Sequence, residues 1–99
     1  VYTEGFALMG FTEAYRILKD PASLDAAEKL ADFLMRIQCR GEPPLWDGAW
    51  RGSYDVKKEC WAGRADQNNP IDEGGMYSVY TGWCNAPNMY GLLQLESLL

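Results

Sequence analysis

The residues with the most chemical potential in this chain sit in one stretch, Trp46-Asp47-Gly48-Ala49-Trp50-Arg51-Gly52-Ser53-Tyr54-Asp55. An Asp-Gly turn between two indoles sets a carboxylate beside flat apolar rings. That combination suits sugar recognition, in which rings stack on the C–H face of a pyranose while carboxylates and guanidinium groups bond its hydroxyls. Asp47, Arg51, Tyr54 and Asp55 would supply the polar contacts, with Trp46 and Trp50 as platforms. The same residues also admit a plainer reading. Asp-Gly is an ordinary turn, Trp50 can close a hydrophobic core, and Arg51 can simply pair with Asp47 or Asp55.

A second candidate follows, Asp66-Gln67-Asn68-Asn69-Pro70-Ile71-Asp72-Glu73-Gly74-Gly75. Oxygen ligands at alternate positions suggest calcium, but the glycine and terminal glutamate offsets of an EF-hand are missing, so no metal is expected. Glu73, in a glycine-rich and aromatic-flanked loop, can serve as a general acid, because partial burial raises a carboxyl pKa toward the working pH; a solvated turn is the plainer reading. With Asp47 and Asp55 it completes a set of carboxylates able to act as acid and base. Separations of about 5 Å or about 6.5 to 9.5 Å would fit retaining or inverting glycoside hydrolysis. Trp61, Tyr80 and Trp83 extend the aromatic lining; Tyr77, Tyr80 and Trp83, three residues apart, also suit a lid over a hydrophobic core.

Other chemistry is excluded by composition. The chain has no histidine, which removes Ser-His-Asp and Cys-His catalysis along with the commonest metal ligand. Cys39, Cys60 and Cys84 lack paired CxxC spacing, leaving either buried thiols or a Cys60–Cys84 disulfide. A net charge of −5 with scattered basic residues gives no phosphate-neutralising cluster, so neither nucleic acid nor an anionic membrane is an expected partner. No apolar run approaches the roughly 18 to 20 residues that span a bilayer. No cofactor is indicated.

The elements that must position these groups are helical. Leu8, Phe11, Tyr15 and Leu18 recur at helical spacing and predict a helix over 2–19 with that row buried. Asp20-Pro21-Ala22-Ser23 breaks it, with Asp20 or Ser23 as a cap. A second helix is predicted over 23–38, carrying one row through Leu24, Ala27, Leu30 or Ala31, Leu34 and Ile37 and another through Ala26, Leu30, Phe33 and Ile37. Two apolar rows imply cover on more than one side. Residues 40–84 read as a long loop with a short strand or helical turn near 76–80. Asn85-Ala86-Pro87 then resembles a helix start, predicting a third helix over 86–99. That helix is apolar nearly all round, as befits a place inside a larger assembly.

The pattern formed by Phe33-Leu34-Met35-Arg36-Ile37-Gln38 and the following Gly48-Ala49-Trp50 resembles the QW repeat of squalene and terpene cyclases, which are stacks of helical hairpins. The gap after Gln38 is longer than in that repeat, and the cyclases' Asp-rich acid motif is missing. The helix ending in Gln38, the Asp47-Gly48-Ala49-Trp50 loop and Tyr80-Thr81-Gly82-Trp83 leading into an apolar helix also look like the six-hairpin glycosidase-like (α/α) toroids. The resemblance covers roughly residues 12–99 and rests on short motifs.

The expectation is therefore an all-α segment, a hairpin over 2–38, a loop over 40–84 and a helix over 86–99, forming part of an (α/α) toroid. The resemblance implies a glycoside hydrolase or polysaccharide lyase acting on a carbohydrate through Asp47, Asp55 and Glu73, with Trp46, Trp50, Arg51, Tyr54, Trp61, Tyr80 and Trp83 binding substrate. The alternatives are a non-catalytic carbohydrate-binding or scaffold repeat, or a cyclase-like toroid. Exposed apolar helix faces imply packing against the rest of a parent chain or self-association.

Overall fold

The computed structural model describes residues 1–40, 47–51, 54–61 and 82–99. Among the described residues the fold rests on three helices, α1 (Tyr2–Leu18), α2 (Pro21–Ile37) and α3 (Gly82–Glu96). Between α2 and α3 lies an antiparallel pair, β1 (Tyr54–Asp55) and β2 (Cys60–Trp61), with Tyr54 opposite Trp61 and Asp55 opposite Cys60. The chain is mostly helical, as expected. None of the described helices is long and apolar enough to cross a membrane.

The α1–α2 turn is built from local chemistry. Lys19 adopts a left-handed conformation, φ 55° and ψ 29°, and its N–H returns to the Tyr15 carbonyl. Asp20 then caps α2, accepting from the Ala22 N–H at 3.2 Å and from the Ser23 hydroxyl at 3.0 Å. Pro21, its φ pre-set for a helix, takes the first position. The second helix therefore starts at Pro21 instead of 23, because Asp20 is the cap and Ser23 only supports it.

The buried face of α1 differs from the expected row. Leu8 is buried, but Phe11 and Leu18 are 41% and 72% exposed. The buried face is Gly5, Leu8 and Thr12, and α3 crosses it at close range at Gly5 and Leu8. A Cβ on Gly5 would run into Asn88 Oδ1 and lie 2.8 Å from the Pro87 carbonyl carbon; one on Gly91 would lie 3.0 Å from Leu8. These contacts pair rising numbers with rising numbers, so α1 and α3 run parallel. The short turn makes α2 antiparallel to both. Contact is most extensive between α1 and α3, less between α1 and α2, and slight between α2 and α3.

The core comprises Leu8, Ala27, Ala31, Leu34, Ile37, Trp50 and Leu95, flanked by half-buried Leu24, Leu30, Phe33, Tyr54, Trp61 and Leu92. Both predicted rows of α2 contribute to it. The third helix starts at Gly82, before the expected 86, and ends at Glu96. Pro87 accordingly lies inside it. Its missing N–H forgoes one helical bond, and the first turns are held instead by Asn85, whose side chain grips the backbone of Trp50.

Candidate functional site

The end of α2 and the loop after it form the best-defined local structure outside the helices. At Gln38 the backbone turns extended, φ −54° and ψ 133°. The Cys39 N–H donates to the Ala49 carbonyl, and the Gly48 N–H donates to the Cys39 carbonyl, each at 2.8 Å. The Gln38 side chain adds a third bond, its Nε2 donating to the Gly48 carbonyl at 2.6 Å. Gly48 has φ +81°, where a side chain would be strained. These bonds tie the ends of the 40–47 excursion to the helix terminus.

Trp50 completes the clasp. Its Nε1–H donates to the Leu34 carbonyl in the last turn of α2 at 2.7 Å. Its backbone N–H donates to Asn85 Oδ1 at 2.8 Å, and Asn85 Nδ2 donates back to the Trp50 carbonyl at 3.3 Å. The ring is 1% exposed. The structure places this expected stacking residue in the core, with its polar edge bonded to a helix carbonyl. Arg51 is 4% exposed and engaged with its neighbours. The expected polar-aromatic surface therefore lacks both residues.

Asp47 remains exposed, at the edge of a shallow depression of about 340 Å³ formed with Gly48, Ala49, Trp50, Asn85, Ala86 and Met89. Asp55 has a structural assignment. Its Oδ1 accepts the backbone N–H groups of Lys57 and Lys58, both at 3.0 Å, which folds the turn between β1 and β2. Glu59, at φ 53°, closes that turn. Glu73, Trp46, Tyr77 and Tyr80 lie outside the described residues, as do the Trp83 side chain, the calcium-like stretch and the expected turn near 76–80.

Tyr54 and Trp61 are brought together. Their rings meet edge to face at 5.2 Å, and Tyr54 meets Phe33 of α2 at 5.8 Å. The Arg36 guanidinium lies over the Phe33 ring. Trp61 also reaches Cys39, whose thiol is pushed up in pKa by burial, an effect opposed by the Arg51 charge and by hydrogen bonds from the Cys39 backbone and the Trp61 side chain. Cys60 is an exposed free thiol, so the Cys60–Cys84 disulfide considered from the sequence is not formed. Among the described residues no group of three His, Cys, Asp or Glu side chains converges on a metal position.

Sequence reasoning missed Asn85 and the strand pair. Asn85-Ala86-Pro87 carries a helix-start signal that conceals a side-chain tether to a residue thirty-five positions earlier. Tyr54-Asp55 and Cys60-Trp61 enclose Val56-Lys57-Lys58-Glu59, which contains none of the Asn-Gly or Asp-Gly signals of a tight hairpin. No family model matches the chain, nor does any curated protein or solved structure.

Proposed function

We propose that this chain is a helical-hairpin unit of an (α/α) toroid protein, supplying scaffold and a clasped loop in place of the acid and base of a reaction. The observation that carries the reading is the Trp50 bond to Leu34 inside the core. Together with the Gln38–Gly48 bond, it gives the residues behind the toroid resemblance a mechanical role, locking a loop onto a helix end. The parallel run of α1 and α3 with α2 reversed is also what stacked hairpins require. Asp55, engaged in a turn, fits scaffold better than proton transfer.

A glycoside hydrolase or polysaccharide lyase of the same architecture is the second reading, favoured by the exposed carboxylate of Asp47 over its depression. Reducing-sugar release and calorimetry against a panel of neutral and acidic oligosaccharides separate the two. The scaffold reading expects no turnover from the chain and no change on Asp47→Asn. Turnover that falls at least a hundredfold in Asp47→Asn, with helicity unchanged, would replace it with the hydrolytic reading.

A further inference from the structure

Asp47-Gly48 is the one Asp-Gly step in the sequence, and such a step carries a reactivity of its own. The backbone nitrogen of the glycine can attack the γ-carbon of the preceding side chain, because no Cβ hinders its approach. A C–N bond forms, and the hydrogen of that nitrogen and the hydroxyl of the protonated carboxyl are lost together as water, leaving a five-membered succinimide. Water then opens the ring. Attack at the γ-carbonyl restores aspartate, whereas attack at the α-carbonyl routes the main chain through the β-carbon and leaves isoaspartate. The water lost is regained, so mass is unchanged and no oxidant or reductant takes part.

The clasp opposes that reaction at a single atom. A succinimide nitrogen bears no hydrogen, and in the folded chain the Gly48 N–H donates to the Cys39 carbonyl at 2.8 Å. Ring closure therefore forfeits this bond. Gly48 is also held from its other side, since its carbonyl accepts from Gln38 Nε2 at 2.6 Å and the Cys39 N–H donates to the next carbonyl, that of Ala49. Trp50, one residue further, is bonded to the Leu34 carbonyl and to Asn85. Asp47 itself is exposed, so the water that opens the ring can reach it.

We propose that Asp47-Gly48 is a self-modification site, converted to isoaspartate only in molecules whose clasp has opened. The rate of conversion then follows the population in which the loop end has released from α2, a local opening that leaves the helices in place. Conversion adds one carbon to the main chain immediately before Gly48 and sets the carboxylate directly on the Asp47 Cα. The loop that closes again is therefore not the one that opened. The site requires no enzyme or ligand, and it stands independently of both the scaffold and the hydrolytic readings.

Ageing the full chain at mildly acidic pH, where part of the carboxyl is protonated, tests the proposal, with isoaspartate at position 47 quantified by electron-transfer peptide mapping. The chain unfolded in guanidinium is expected to convert at least about tenfold faster than the folded chain. Gln38→Ala removes one bond of the clasp and should raise the folded-state rate about threefold or more, with helicity retained by circular dichroism. Trp50→Phe, which loses the indole donor, is a second variant with the same expected direction should Gln38→Ala unfold the chain. Amide exchange at Gly48 should quicken in the same order as conversion. Equal rates in the folded and unfolded chains, no isoaspartate in the unfolded chain, or folded variants in which Gly48 exchange quickens while conversion does not would each overturn the proposal.

Discussion

The indole N–H of Trp50 and the carbonyl of Leu34 meet at 2.7 Å inside the core, so a loop residue completes the last turn of a helix sixteen positions earlier. Removing the ring should cost what a core aromatic costs. Trp50→Ala is expected to lose about 3 to 5 kcal/mol in urea unfolding followed by circular dichroism. Trp50→Phe, which keeps most of the apolar surface and loses the donor, should lose less. A loss below about 1 kcal/mol in the alanine variant would place the ring at the surface.

Two glycines of α1 should respond to alanine with opposite signs. At Gly5 a Cβ meets backbone atoms of Asn88 and Pro87, at 2.7 and 2.8 Å, so Gly5→Ala must push α3 away and is expected to destabilise by about 1 to 3 kcal/mol or more. At Gly10 the space is open, and Gly10→Ala should stabilise by about 0.5 to 1 kcal/mol through helix propensity. Thermal melts of the two variants side by side check this, and a matching sign would contradict the tight α1–α3 crossing.

Asn88 is fully buried, and neither polar atom of its side chain finds a hydrogen-bond partner among the described residues. An unsatisfied buried amide costs about 1 to 3 kcal/mol. Asn88→Leu, similar in branching and free of that penalty, is therefore expected to raise the urea midpoint. A fall of more than about 1 kcal/mol would reveal a partner for the amide.

The thiols should differ in reactivity and in their effect on stability. Cys60 is exposed and Cys39 half-buried, with the Cys39 pKa raised chiefly by burial. Iodoacetamide at mildly alkaline pH should label Cys60 before Cys39, as read by peptide mass mapping, because the thiolate is the nucleophile. A raised pKa means that the folded state holds the Cys39 proton more tightly than the unfolded chain does. Its stabilising contribution is full below the ordinary thiol range and is lost as pH climbs through that range toward the raised value. Cys39→Ala should flatten that alkaline decline, and faster labelling of Cys39 than Cys60 would contradict its burial.

What the sequence reveals depends on whether the determining interaction is local. The Asp20-Pro21 break is legible because the cap, the proline and the helix they start are neighbours, and the apolar rows of α2 are legible from their period. The start of α3 is not, since Asn85 is secured by the backbone of Trp50, and no window around Pro87 contains that information. The α1 face is misjudged for a related reason: apolar periodicity weighs Phe11 and Leu18 heavily and Gly5 not at all, yet it is the missing side chain that lets α3 approach. At the candidate site, the Gln38, Gly48 and Trp50 pattern is visible in sequence, whereas the direction in which Trp50 points is settled by the helix carbonyl it meets.

The meeting of Leu8 with Gly91 also bears on how this chain folds. The closest helix pair joins stretches roughly eighty residues apart, while the α1–α2 turn needs only its immediate neighbours. Contacts between distant stretches slow folding, because the chain between them must be closed before they form. The entropy of that closure grows only logarithmically, by about 0.6 kcal/mol for each doubling of a flexible connection. A single methyl group at Gly5, by contrast, acts directly on the contact that the closure serves.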